Sequence, residues 1–288
     1  MAEILRARPV LKEIYARIRD NILLFERQPR LEIILIGQDP AAEYYVDNLQ
    51  KKGDQNGIKV NLLRLPVKVG QQEIENLIVE LNGNTDIDGI MLQKPLPEHL
   101  DEIVINSLID PEKDVDGFHP VNLGKLVLEQ PGLIPCTAQA VIAILKFYQI
   151  ETTGKHVVIL GRSNIVGKPL GLLLLSKNDF GNATVTICHS RTENLASITR
   201  EADILIAAIG KPGFVKPDMI KENAVVIDVG TNQVSDVEKG SIYVGDVDTE
   251  AVQNKASAIT PVPGGVGSVT TALLLSNVIT AAKLKMKK

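Results

Sequence analysis

The chain has 288 residues, of which 44% are hydrophobic and 23% are charged, with a formal net charge of −4. This composition suits one large or two moderate globular domains, and the acidic balance gives no indication of nucleic-acid binding. The two cysteines, Cys136 and Cys188, support neither a disulfide framework nor a zinc site, so we expect no metal and a reducing, cytoplasmic setting. We also expect no membrane contact and no signal peptide, because no run reaches the ~18 apolar residues of a membrane span and the start is charged.

Strands and helices alternate through the first half of the chain. After a short segment and a helix within residues 3–27, apolar runs predict strands at residues 31–36, 58–65 and 88–92. Helical patterns follow these strands at residues 39–56, 70–82 and 98–108. This alternation indicates βαβ units and a parallel sheet.

The second half contains a loop-rich passage at residues 110–118, a helix at 138–148 and then another alternating unit. Its strands are predicted at residues 157–160, 183–188, 204–208, 225–229 and 256–259, with a hairpin at 235–244. In the Pro/Gly-rich turn at 260–267 we expect a cis peptide within Pro261-Val262-Pro263. A final helix is predicted at residues 269–285.

These elements predict an α/β fold of two lobes, each with a mainly parallel sheet. The helices near 138–149 and 269–285 are expected to bridge the lobes. A cleft between two lobes is the usual place for a binding site.

The strand Val157–Leu160 leads into the most informative turn of the chain. It stops at Gly161, and a helical run begins near Val166. A glycine turn lets backbone approach a ligand, and a helix start presents free N–H groups to a phosphate. The strict G-x-G-x-x-G pattern is absent, since Ser163 and Val166 occupy the second and third glycine positions. An ordinary strand-to-helix turn therefore remains the alternative.

The next strand, residues 183–188, ends in His189-Ser190-Arg191-Thr192. NAD-binding units usually carry an acid here, which binds the ribose 2′-hydroxyl. This chain offers Ser190 and Arg191 instead, with Arg162 in the preceding turn. Hydroxyl groups and cations suit a 2′-phosphate, so the residues favour NADP over NAD. The alternative is that both arginines are solvated surface residues.

Nine stretches match one protein family in collinear order along essentially the whole chain. They are Gly37–Ala41, Tyr45-Val46, Asp88–Pro97, Lys113–Phe118, Pro135–Thr137, Gly161–Gly167, Val226–Gly230, Gly245-Asp246 and Thr260–Gly267. On these motifs the chain resembles the methylenetetrahydrofolate dehydrogenase/methenyltetrahydrofolate cyclohydrolase family of the FolD type.

The resemblance implies NADP-linked oxidation of 5,10-methylenetetrahydrofolate and hydrolysis of the 5,10-methenyl product to 10-formyltetrahydrofolate. It implies a folate-binding catalytic domain at residues 1–138 plus 268–288, a Rossmann-type NADP-binding domain at 139–267, and a homodimer to which the hairpin contributes. In the catalytic set, Asp116 would bind the pterin, Gln93 would lie beside the reacting carbon and Tyr45 would stack on the folate. The implied cofactor-binding residues are Gly161, Arg162, Ser163, Ile165, Val166, Ser190, Arg191 and Thr231.

Simpler roles stay open for the catalytic set. Asp116 could close a turn with Gly117, Gln93 could be a capping amide and Tyr45 could be a helix core residue. Cys136 fits a small packed residue better than a nucleophile.

The chain departs from the family at the residue that the family is thought to use for proton transfer in hydrolysis. The family's active-site helix carries lysine four residues after the tyrosine, and Leu49 stands at that position. Lys51 and Lys52 lie roughly 160° and 60° around the helix from it. Lys94 follows the glutamine where leucine is usual. Further departures are Ala42, Ala138 and Ser268-Val269.

Three interpretations follow from these departures. The dehydrogenase works and the cyclohydrolase is weak or absent; or Lys94 supplies the missing amine; or the chain is a non-catalytic folate or nucleotide binder or a partner subunit. A dehydrogenase of the shikimate or amino-acid type has a similar two-lobe plan. The stretches Asp114–Gly117 and Pro261–Gly265 argue against that class.

Overall fold

The computed structural model describes residues 1–236 and 240–286 and divides the chain into two compact units. Unit 1 contains Met1–Lys12 and Thr137–Thr270, and unit 2 contains Glu13–Cys136 and the chain from Thr271 onward. The strands are β1 (Glu3–Ile4), β2 (Arg30–Ile36), β3 (Lys59–Leu65), β4 (Gly89–Leu92), β5 (His156–Leu160), β6 (Thr184–Cys188), β7 (Ile204–Ala207), β8 (Val225–Asp228), β9 (Asn232–Asp236), β10 (Gly240–Val244) and β11 (Ala258–Ile259). The helices are α1 (Ala7–Ile22), α2 (Pro40–Gln55), α3 (Gln71–Gly83), α4 (Glu102–Leu108), α5 (Pro120–Val127), α6 (Cys136–Phe147), α7 (Gly167–Leu175), α8 (Leu195–Thr199), α9 (Thr249–Val252) and α10 (Val266–Met286).

Unit 1 is built on a six-stranded parallel sheet with the order β1-β11-β8-β7-β5-β6. The residues Val157–Leu160 of β5 are all buried, as expected for a strand covered on both faces. The chain adds the next two strands on opposite sides of β5: β6 lies on one side of it and β7 on the other. The carboxyl ends of β5 and β7 therefore form a topological switch point, where α/β sheets bind ligands.

The first residues of the chain belong to unit 1, which corrects one expected boundary. The sequence interpretation placed residues 1–138 in the first domain. Glu3 and Ile4 instead pair in parallel with Ala258 and Ile259 and form the edge of the six-stranded sheet. A two-residue strand has too little pattern to be assigned to a sheet from sequence, because its partners lie some 250 residues later.

Unit 2 is built on a three-stranded parallel sheet with the order β3-β2-β4. Its core packs aliphatic side chains of β2 and β4 against α3 and α4, with Ile34, Ile74, Ile78, Ile90 and Ile105 each fully buried. A parallel bridge between Ile90 and Asp114 carries the sheet one step further, into the loop that follows α4. The loop-rich passage is thereby fixed beside the carboxyl end of β4.

Several elements differ from the sequence interpretation. α5 was not predicted, because its N-cap is His119, whose ring nitrogen accepts the N–H of Val121, and histidine is an uncommon cap. α4 begins at Glu102 rather than at residue 98, because the Asp101 carboxylate caps it.

The predicted hairpin is present as the antiparallel pair β9 and β10, and its turn at residues 237–239 lies outside the described residues. The predicted cis peptide is confirmed at Val262-Pro263, and a second one occurs at Lys94-Pro95.

The unit boundaries fall inside or at the start of three helices, α1, α6 and α10. Among the described helices, α10 is the one that has the length and hydropathy of a membrane span. Of its most apolar 18-residue stretch, 67% is buried within the folded chain. Core helices of soluble proteins meet the same criterion of length and composition.

Candidate functional site

The turn between β5 and α7 requires glycine at two positions. Gly161 has a φ of +126°, and a Cβ there would lie 2.1 Å from the carbonyl oxygen of Ala208. A Cβ on Gly167 would lie 2.0 Å from the carbonyl oxygen of Gly161. In the dinucleotide-binding pattern the third glycine allows the helix to pack closely against the strand. Here Gly167, one residue later, has that function.

Ser163 has a local structural function in this turn. Its hydroxyl oxygen accepts the N–H of Val166 at 3.1 Å, which stabilises the beginning of α7. Because hydroxyl oxygen can accept and its hydrogen can still donate, this contact leaves Ser163 one donor.

A cavity of about 300 Å³ opens at the switch point, at the carboxyl ends of β5, β6 and β7. We call it the strand-edge cavity. Its lining includes the apolar residues Leu160, Cys188, Leu195, Ile209 and Phe214 and the polar residues Arg162, Ser163, His189, Ser190 and Lys211. An apolar slot beside cations and hydroxyl groups matches a planar base joined to a phosphate-bearing ribose.

The cavity brings together half of the residues expected to bind the cofactor. Gly161, Arg162, Ser163 and Ser190 line it, whereas Ile165, Val166, Arg191 and Thr231 are not part of its wall. The sequence interpretation missed His189 and Lys211. Lys211 lies in the turn Gly210–Gly213 directly after the region of β7, and a Gly/Pro-rich turn at the carboxyl end of a parallel strand was the available signal.

Polar groups gather in unit 2 where the loop Lys113–Phe118, here called the Asp116 loop, passes the end of β4. Asp114 organises this loop: its carboxylate accepts the N–H groups of Gly117 and His119 and the side-chain amide of Asn122. The turn is thus closed by Asp114, and Asp116 is not needed for it. Gly117 is required because its φ is +76° and a Cβ would lie 2.5 Å from the carbonyl carbon of Ile134.

The carboxylate of Asp116 has no hydrogen-bond donor among the described residues. Burial raises the pKa of Asp116 to about 7, the charge of Asp114 adds to this rise, and Lys94 opposes it. A carboxylate in this state is ready to accept N–H donors from a ligand, because such bonds would repay its lost hydration.

Gln93 leaves β4 beside this loop. Its amide nitrogen donates to the carbonyl of Lys94 at 2.8 Å, which fixes the orientation of the side chain. Its Oε1 is buried, and within the described part of the chain it is the one such side-chain atom without a hydrogen-bond partner. Buried acceptors are nearly always satisfied, so an orphaned one marks a place where a ligand donor or cation fits.

Tyr45 lies on α2 and is half-buried in the same neighbourhood. Its hydroxyl is hydrogen-bonded to Thr271 at the start of unit 2's share of α10. Burial, with smaller contributions from Asp116 and Cys136, raises the pKa of Tyr45, so the phenol stays protonated. Burial likewise raises the pKa of the Cys136 thiol well above its usual range, which fits a packed residue.

Leu49 lies one turn after Tyr45 on α2 and is 0% exposed. Two lysines follow Leu49 on the same helix. The ammonium of Lys52 lies 6.0 Å from the ring centroid of Tyr15 and 3.5 Å from Gln55 Oε1, and Lys51 is exposed.

Lys94 is engaged on two sides. Its ammonium lies 2.5 Å from Glu102 Oε1 and 4.9 Å from the ring centroid of Phe118, which belongs to the Asp116 loop.

The fold and these two groups of residues define an α/β protein with a nucleotide-type strand edge in unit 1 and an acid–amide cluster in unit 2. The chain matches the catalytic domain of tetrahydrofolate dehydrogenase/cyclohydrolase over residues 5–116 and the NAD(P)-binding domain of the same family over residues 135–286.

Relatives cover the whole chain. The bifunctional protein FolD of Chloroherpeton thalassium is 47% identical over 282 residues, which are 95% of this chain and 96% of that protein. The crystal structure of the bifunctional FolD enzyme of Campylobacter jejuni is 40% identical, has a TM-score of 0.93 and is matched over 99% of both chains. The FolD structure of Trypanosoma brucei, complexed with NADP cofactor and inhibitor, is 38% identical with a TM-score of 0.93, over 100% of this chain and 99% of that one.

The chain therefore belongs to the tetrahydrofolate dehydrogenase/cyclohydrolase family and is an enzyme of that family.

Proposed function

We propose that the protein oxidises 5,10-methylenetetrahydrofolate to the 5,10-methenyl form with NADP, and that its hydrolysis of the methenyl form is weak or absent. The observation that carries the second half of this proposal is Leu49, a fully buried alkyl side chain at the position where the family resemblance implies a lysine. The dehydrogenase half rests on the family membership and on the two groups of site residues.

The strand-edge cavity supports NADP as the cofactor. Gly161 and Gly167 permit a close approach of backbone segments at the edge of the cavity that a side chain at either position would prevent, and Arg162 and Ser190 offer a cation and a hydroxyl to a 2′-phosphate. Among the described residues, none of those that line the cavity is an acid that would repel this phosphate. When bound, NADP supplies the hydride acceptor.

The acid–amide cluster supports a folate substrate. The free carboxylate of Asp116 can accept two N–H bonds from the edge of a pterin ring. Oxidation of the one-carbon unit creates a cationic amidinium, and the orphaned Oε1 of Gln93 is an electron-rich group that would stabilise it. Tyr45 would line the ring, with its hydroxyl held by Thr271.

The two reactions differ in what they need from the protein. Hydride transfer depends mainly on proximity and orientation of the two reactants. Hydrolysis needs a group that moves a proton to or from water and the leaving nitrogen. The alkyl side chain of leucine cannot move a proton. Leu49 in place of lysine would therefore remove a requirement of the hydrolysis and none of the hydride transfer.

Lys94 is the alternative source of an amine. Its side-chain nitrogen is already paired with Glu102 Oε1 and lies over the Phe118 ring, so it is not a free amine. We therefore expect that Lys94→Ala leaves the residual rate of methenyltetrahydrofolate hydrolysis unchanged. A Glu102→Gln variant is the matched control, because it frees the amine of Lys94 without removing it. If hydrolysis fell in Lys94→Ala and rose in Glu102→Gln, Lys94 would be the replacement catalyst and this part of the proposal would be wrong.

A paired assay on the wild-type protein tests the proposal as a whole. With 5,10-methylenetetrahydrofolate and NADP we expect steady formation of NADPH, and with 5,10-methenyltetrahydrofolate we expect hydrolysis close to the uncatalysed rate. No NADPH formation would support the non-catalytic interpretation, and fast hydrolysis would contradict the role given to Leu49.

We also propose that the protein is a cytoplasmic homodimer and that the β9–β10 hairpin contributes to the dimer. Light scattering on the purified protein should give twice the mass of one chain. Charged substitution of the half-exposed Tyr243 in β10 should shift it towards one chain's mass.

A further inference from the structure

The turn Ile209–Lys211, which follows β7, forms one wall of the strand-edge cavity. Its three consecutive N–H groups all donate to one carboxylate. Ile209 and Gly210 bond to Oδ2 of Asp246 at 2.7 and 3.0 Å, and Lys211 bonds to Oδ1 at 2.8 Å. Consecutive N–H groups that converge in this way form an anion-binding concavity, which here is filled by an acid of the chain itself.

The surrounding residues fix the position of Asp246. It is 0% exposed, and its own N–H donates to Oδ1 of Asp228 at 2.9 Å. A Cβ on Gly230 would lie 2.4 Å from its carboxylate, so the side chain packs directly against the backbone of Gly230. The carboxylate therefore sets the position of the turn.

The same carboxylate also reaches the hairpin. Asn232, the first residue of β9, donates its side-chain amide to Oδ1 of Asp246 at 2.9 Å. Asp246 itself lies two residues after β10 ends. The cavity turn and the base of the hairpin thus share one acceptor.

We propose that Asp246 is a positioning residue for the dinucleotide: it holds Ile209–Lys211 in the shape that receives the cofactor and ties that shape to the hairpin. This inference rests on the proposed function, which places NADP in the strand-edge cavity. An ionised carboxylate can satisfy all four donors, because it has two oxygens with about four acceptor sites. An asparagine at this position has one acceptor oxygen, and its amide NH₂ group would face backbone N–H groups that also need an acceptor. It therefore cannot satisfy all four donors.

The test compares Asp246→Asn and Asn232→Ala with Asp248→Asn. Asp248 is an acid two residues further on, which caps α9 and pairs with Lys216. For each purified protein the affinity for NADPH is measured by calorimetry, and kcat and the KM for NADP are measured in the dehydrogenase assay. In Asp246→Asn we expect the KM for NADP to rise about tenfold or more, the size expected when buried N–H groups lose their acceptor. The kcat at saturating NADP should stay within about twofold, since the turn is argued to act on cofactor binding alone.

Asn232→Ala removes one donor and leaves the turn's own bonds in place, so a smaller rise of about threefold is expected. Asp248→Asn should leave the affinity for NADPH unchanged. If Asp246→Asn lowers the thermal midpoint and leaves the KM for NADP unchanged, Asp246 has a structural role only and the inference is wrong. Where Asp246→Asn does not fold, Asn232→Ala decides: unchanged affinity for NADPH would overturn the link to the hairpin.

An Arg162→Ala variant separates this inference from the proposed function. Unchanged affinity for NADPH in Arg162→Ala would show that the cavity is not the cofactor site. Weakened affinity in Arg162→Ala with no change in Asp246→Asn would overturn the role of Asp246 alone.

Discussion

The strand-edge cavity of unit 1 and the acid–amide cluster of unit 2 are built in different ways. In the cavity the backbone sets the shape, through Gly161 and Gly167, where a Cβ would meet a carbonyl oxygen at 2.1 and 2.0 Å. In the cluster the side chains carry the chemistry, and neither the Asp116 carboxylate nor Gln93 Oε1 has a hydrogen-bond donor among the described residues. Backbone-built sites tolerate little change at the glycines, whereas one substitution in a side-chain-built site can remove a single reaction and leave the fold intact.

The largest effect is expected where the backbone sets the shape. Gly161→Ala should abolish measurable NADPH binding and lower the thermal midpoint of unfolding, because it combines a clash with Ala208 and a φ of +126°. The backbone conformation alone costs about 1–3 kcal/mol for a residue with a side chain.

Gly154→Ala is the matched control for this prediction. Gly154 also has a positive φ, +70°, but a Cβ there would meet no atom within 4 Å. We expect a modest loss of stability and unchanged affinity for NADPH in Gly154→Ala. Equal loss of NADPH binding in both variants would mean that backbone strain, and not the clash with Ala208, determines binding.

Asp116 should give the cluster a pH dependence. Its pKa is raised to about 7, so kcat/KM for 5,10-methylenetetrahydrofolate should rise through about pH 7 as the carboxylate ionises. Asp116→Asn should lower kcat/KM by about 100-fold and remove this limb of the profile, because a charge-assisted acceptor is lost. Asp54→Asn, an exposed acid on α2, should keep the wild-type profile.

The same pKa shift predicts the direction of a stability change. Between about pH 4 and 7 the folded state binds more protons at Asp116 than the unfolded state does, so stability falls as pH rises through this window. Asp116→Asn should therefore raise the thermal midpoint at pH 8 and have little effect at pH 4. An equal rise at both pH values would show that the carboxylate is not perturbed in this direction.

Arg162 should give a smaller effect that separates the two nicotinamide cofactors. Arg162→Ala should raise the KM for NADP about tenfold and leave the KM for NAD unchanged, because NAD lacks the 2′-phosphate that the guanidinium would bind. The control is Lys168→Ala, which removes a nearby cation whose ammonium is 2.7 Å from Asn164 Oδ1 and which does not line the cavity. A matching rise in the KM for NAD would assign Arg162 to a part of the cofactor that NADP and NAD share.

The sequence predicts the parts of this fold that depend on local pattern. The continuous apolar run of β5, the alternation of strands and helices and the Pro/Gly turn with its cis peptide at Val262-Pro263 were all predictable. The N-terminal strand and α5 were not, because one depends on a distant strand pair and the other on a histidine cap.

Roles within a short motif were harder to predict than the motif itself. Asp114 and Asp116 lie two residues apart, and sequence alone does not say which of them closes the turn. The three donors around Asp114 decide it, and two of them come from residues that follow the motif's glycine. Lys113 of the same motif has a structural role, since its ammonium donates to the carbonyls of Leu81, Asn82 and Asn84 at the end of α3.

The most direct test of the central claim is a paired assay of both activities on wild type and Leu49→Lys. We expect wild type to form NADPH from 5,10-methylenetetrahydrofolate with little hydrolysis of the methenyl form. Leu49→Lys should raise that hydrolysis by about 100-fold or more, the size of a general acid–base contribution, with dehydrogenase activity retained. If wild type already hydrolyses methenyltetrahydrofolate quickly and Leu49→Lys does not raise the rate, the hydrolytic reaction does not depend on this position and the claim is contradicted.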